Sequence, residues 1–86
     1  MPEEPYQVWI HMQGAGDDIS HNGYDSQRRA EHTASRRVDD HTINAVIFVN
    51  ATATDVVLVR VIKGKIDPFR RQLGKLFQGQ WEVVDA

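Results

Sequence analysis

Apolar and polar positions alternate from Tyr6 to Gln13, with Tyr6, Val8, Ile10 and Met12 on one side and Gln7, Trp9, His11 and Gln13 on the other. A period of two over such a run predicts a β-strand. From Gln13 to Gly23 the alternation lapses into Gly14, Gly16, Asn22 and Gly23, which predicts a long loop. Between about Asp25 and Val38, Ala30, Ala34 and Val38 recur at i, i+4 and i+8, a thin helical stripe that Asp25 or Ser26 can cap. A helix of this kind can lie close on a sheet while most of its surface stays solvated.

Two β-branched runs follow, Thr42 to Asn50 and Asp55 to Ile62, and the short polar link Ala51 to Thr54 makes them a hairpin. The next helix is the best signalled. Asp67 stands at the N-cap, Pro68 at the first helical position, Phe69, Leu73, Leu76 and Phe77 on one face, and Gly79 at the stop. Trp81 to Val84 closes the pattern as a short strand. Residues 1–5 are expected to be a flexible tail. The order βαββαβ within one domain of 86 residues predicts an α+β, ferredoxin-like sandwich. That fold has a four-stranded antiparallel sheet, order 4-1-3-2, with both helices on one face.

Such a sheet leaves its second face bare. Alternation assigns the helix side Val8, Ile10, Ile47, Val49 and Val59, and the bare side Trp9, His11, Val46, Phe48, Leu58 and Arg60. Strands that face water on one side alternate cleanly, and the two central runs are apolar on both sides. A contiguous exposed patch of that kind marks association. The bare face is therefore the expected interaction surface, and a symmetric homodimer anchored by Trp9 and Phe48 is its simplest use.

Charge adds a second candidate surface. The formal net charge is −2, but from Arg60 to Lys75 six bases stand against the single acid Asp67. Lys63, Lys65, Arg70, Arg71 and Lys75 form a basic patch that could meet an acidic protein or nucleic-acid phosphates. The strand VVLVRVI has no aromatic residue on which a base could stack, so a base-reading sheet is disfavoured. No run reaches the ~18 apolar residues of a membrane span, and the first residues carry acids where a secretory signal carries bases. The expectation is a soluble, cytoplasmic protein without a membrane partner.

Candidate chemistry concentrates in GDDISHNGYDSQRRAEH, Gly16 to His32, which holds acids, histidines and an arginine pair. The histidines His11, His21, His32 and His41 show no His-x-His, His-x3-His or His-Glu-x2-His spacing, so no metal site is assigned. GAGDD is not a dinucleotide fingerprint, and its two acids would repel a phosphate. The chain has no cysteine, which excludes disulfides, thiolate metal ligands and a thiol nucleophile. With no catalytic residue and no cofactor assigned, the stretch reads as a polar loop feeding a helix cap. The expected function is a small non-enzymatic interaction module, a regulator or inhibitor that occupies a partner's surface. The alternative is a nucleic-acid-binding domain using segment 60–75. A further alternative, by analogy of size and class alone, is a phage or mobile-element inhibitor of a host defence or enzyme complex.

Overall fold

The computed structural model describes residues 4–50, 57–64, 66–77 and 81–85. Its elements in chain order are β1 (Tyr6–Met12), β2 (Ser20–Tyr24), α1 (Gln27–Arg37), β3 (Ile43–Asn50), β4 (Val57–Lys63), α2 (Asp67–Phe77) and β5 (Trp81–Asp85). They form an α+β domain built on one open sheet, in the order β2-β1-β3-β4-β5. The first four strands pair antiparallel, and β5 joins β4 in parallel at the edge. The expected tail at residues 1–5 falls partly outside the described residues.

This is not the ferredoxin-like order. That arrangement places the last strand beside β1, but both edges of β1 are already taken, one by β2 and the other by β3. The missing element was β2, which begins inside the expected loop 13–23 and ends one residue beyond it, at Tyr24. Its residues SHNGY contain no apolar alternation, because an edge strand pairs on one side only and Ser20, His21 and Asn22 are exposed.

The two helices lie on opposite faces of the sheet, not together on one. Ala30 and Ala34 of α1 pack with Val8, Ile43, Val46 and Phe48. Phe69 and Leu73 of α2 pack with Trp9, Ala45, Ile47, Val49 and Val59. Strand β3 is thus covered on both sides, which is why INAVIFVN reads as a nearly continuous apolar run. Burying Phe69, Ile47 and Leu73, each almost fully excluded from solvent, contributes about 1.5–3 kcal/mol per side chain. On the α1 side the alanines contribute little area, and their small size lets the helix approach the strands closely.

Local signals behave as the side-chain chemistry requires. Ser26 caps α1 from an extended backbone conformation, and its hydroxyl accepts the Arg29 N–H at 3.4 Å. Asp67 is the first residue of α2, one place inside the expected N-cap, since the Ile66 carbonyl oxygen accepts the Arg70 N–H at 3.0 Å, and as an acid in the first turn it is favoured by the helix dipole.

Candidate functional site

Antiparallel pairing sets Trp9 across from Ile47 and Val8 across from Phe48. The residues expected on a bare face are therefore split. Trp9 and His11 lie on the α2 side, Val46 and Phe48 on the α1 side, and all four are buried. Arg60 reaches solvent, and it pairs with Glu31 of α1 at 3.3 Å. The side chain of Leu58 lies outside the described residues. Trp9, His11, Val46 and Phe48 therefore form no open apolar face, because α2 covers the first two and α1 the last two.

The basic segment is also dispersed. Lys63 donates its Nζ to the Asp40 carbonyl oxygen at 2.9 Å. Arg71 pairs with Asp17 at 2.7 Å, and Gln72 donates to the Asp17 carbonyl oxygen at 3.1 Å. Arg70 is exposed on α2, while Lys65 and the side chain of Lys75 lie outside the described residues.

The polar stretch between β1 and β2 is structural where it touches the rest of the chain. Asp17 fastens it to α2, and the His11 Nε2 lies 2.7 Å from the Gly16 carbonyl oxygen. That contact requires Nε2–H as donor, which leaves Nδ1 as a buried acceptor without a hydrogen-bond partner among the described residues. His11 also meets the Phe69 ring edge-on. His21 is exposed and stacks on Trp9 with ring centroids 4.5 Å apart, while the Trp9 Nε1–H is satisfied by Gln7. Among the described residues, no group of three His, Asp or Glu could hold a metal ion.

The surface with surplus charge is α1. Its eleven residues hold four arginines and one acid. That acid, Glu31, is turned to Arg60, and Arg29 pairs only loosely with Asp25, at 3.8 Å with both side chains well exposed. Among the described residues, Arg28, Arg36 and Arg37 make no ion pair and all three are exposed. Arg28, His32 and Arg36 recur at i, i+4 and i+8, so they form one stripe opposite the buried Ala30 and Ala34. At the end of this stripe, Thr33, Arg36, Arg37 and Asp40 line a groove of about 310 Å³.

Asp40 belongs to the turn more than to the groove. Its Oδ1 accepts both the Thr42 hydroxyl at 2.6 Å and the Thr42 N–H at 2.9 Å. The hydroxyl bond first, and the amide bond with it, holds the carboxyl below its ordinary pKa despite opposing desolvation. The groove thus presents two guanidiniums and one carboxylate, whose charge Arg37 also favours.

The stripe was available to sequence reasoning. The pairs Arg28-Arg29 and Arg36-Arg37 stand eight residues apart, which on a helix puts them on a common face. Comparison with protein-family models, curated proteins and solved structures finds no match to this chain.

Proposed function

We propose that this protein is a small interaction module, a regulator or inhibitor that works in the cytoplasm by occupying a partner's surface and performs no chemistry of its own. The contact surface in this reading is the outer face of α1. One observation carries it: Arg28, Arg36 and Arg37 are exposed and, among the described residues, have no ion-pair partner, on a helix whose only acid is engaged by Arg60. Arginine presents a planar fork of donors that matches a carboxylate in two parallel bonds, so a cluster of unpaired arginines favours an acidic contact.

The homodimer expected through a bare sheet face loses its surface, since both halves of that face carry a helix. Nucleic-acid binding through segment 60–75 loses support for a different reason, because Arg71 is already paired with Asp17 at the surface and Lys63 donates to the Asp40 carbonyl oxygen. An inhibitor carried by a phage or mobile element is one biological setting in which the α1 reading could operate.

The test is affinity capture from the source cells with wild type and with Arg28→Glu/Arg36→Glu, both first shown folded by circular dichroism. The expected result is a protein recovered by wild type and lost with the double variant. Equal recovery by both would remove α1 as the contact.

A further inference from the structure

The charge on α1 is framed. Along the chain the order is Asp25, then Arg28 and Arg29, then His32, then Arg36 and Arg37, then Asp39 and Asp40. With a rise of ~1.5 Å per residue, the stripe from Arg28 to Arg36 is ~12 Å long. Beyond each end stands an exposed acid, Asp25 before the helix and Asp39 after it. Glu31 does not interrupt the stripe, because Arg60 holds it to the side.

Resting on the function proposed above, we infer that the partner is a protein whose surface carries an acidic stripe of matching length bracketed by basic side chains, and that it is not a nucleic acid. A duplex carries a phosphate charge about every 1.7 Å of its axis, without interruption. Laid along α1 it would run past the arginines onto Asp25 and Asp39, where like charges oppose it. The net charge of −2 adds repulsion at longer range. A protein surface can end its acids where α1 ends its bases, and can then use Asp25 and Asp39 as partners for its own cations. Complementarity of this alternating kind selects partner and register more than it adds raw affinity. The groove lined by Thr33, Arg36, Arg37 and Asp40 has room for one acidic side chain on its arginine side, where neither guanidinium makes an ion pair among the described residues and the Asp40 Oδ1 is turned to Thr42. Thr33 keeps its hydroxyl on the Arg29 carbonyl oxygen at 3.0 Å, which leaves only its oxygen lone pair towards the groove.

The experiment uses the intact, isotope-labelled protein and three probes at low salt, read by amide and arginine side-chain NMR shifts. The first is a helical peptide with glutamates at i, i+4 and i+8 and lysines at both ends. The second has the same composition with the lysines moved between the glutamates, and the third is duplex DNA. The framed peptide should shift the signals of Arg28, His32 and Arg36 and bind about tenfold more tightly than the rearranged one. DNA should shift none of them. In Asp25→Lys/Asp39→Lys, checked for folding, DNA binding should appear and the preference for the framed peptide should vanish. Equal binding of the two peptides, no binding of either, or DNA shifts on wild-type α1 would each overturn the inference. If DNA moves α1 while the charge-reversed α1 variant still loses the captured protein, the proposed function stands and only the partner's charge pattern falls. If capture ignores that variant, the functional reading itself fails.

Discussion

Trp9 and Phe48 stand on opposite faces of the sheet, Trp9 paired across from Ile47 beneath α2 and Phe48 paired across from Val8 beneath α1. Each is therefore a core anchor for a different helix. Trp9→Ala and Phe48→Ala should each cost about 3–5 kcal/mol, the usual cost of emptying a large aromatic site. Against a typical total of ~5–15 kcal/mol, either loss is severe. Phe48→Glu should unfold the chain, because it buries a charge with nothing to pair it. Urea denaturation followed by circular dichroism measures all three, and a folded Phe48→Glu would contradict the packing described.

How far the sequence carries an inference depends on which contacts set the feature. The cap at Ser26, the start of α2 at Asp67 and Pro68, and the bodies of β1, β3 and β4 follow from local chemistry and are legible along the chain. Facing is different. Alternation tells which residues of one strand share a side, but only register tells which side of β1 goes with which side of β3. That register pairs Trp9 with Ile47 across nearly half the chain, and no local pattern states it. The apolar surplus on both sides of β3 was readable, and it signalled two covering helices, not an open surface. SHNGY was not readable as a strand, since β2 gains its place from pairing with β1. The arginine face of α1 was fully present in the spacing of its two Arg-Arg pairs.

Two glycines should respond oppositely to alanine. Gly64 has φ 67° after β4, and a Cβ there would collide with the Asn44 carbonyl oxygen. Gly64→Ala should destabilise by at least the ~1–2 kcal/mol of left-handed strain, with the collision added. Gly74 sits inside α2, where an added Cβ meets nothing within 4 Å. Gly74→Ala should stabilise by about 0.5–1 kcal/mol, from helix propensity. Thermal melts of the two variants decide it. A loss at Gly74 would mean that the helix backbone there is not as described.

The neutral ring of His11 should carry its proton on Nε2. The Gly16 carbonyl oxygen can only accept, and it faces Nε2 at 2.7 Å. Long-range nitrogen–proton NMR correlations distinguish the two tautomers. An Nδ1–H ring would leave a buried donor unpaired and would require the loop carrying Gly16 to sit elsewhere.

Stability should fall on the acid side partly through Asp40. Its folded pKa lies below the ordinary 3.8 because the Thr42 hydroxyl and amide both donate to the charged carboxylate. Protonation therefore favours the unfolded chain. The contribution is complete above the ordinary value and is lost as pH falls through the depressed folded value. Asp40→Asn should flatten that limb of the stability profile between pH 2 and 5 relative to wild type, measured by denaturant titration at each pH. An unchanged acid limb would show that the Thr42 bonds do not favour the charged form.

The central claim is that α1 meets the partner with its outer arginines. Cross-saturation transfer from the unlabelled, captured partner onto the labelled protein measures this directly. Signal loss should be greatest at Arg28, His32 and Arg36, with Ser35 and Arg37 beside them and little on α2. Transfer greatest on α2, or along the β2 edge at Ser20 to Asn22, with α1 silent, would contradict it.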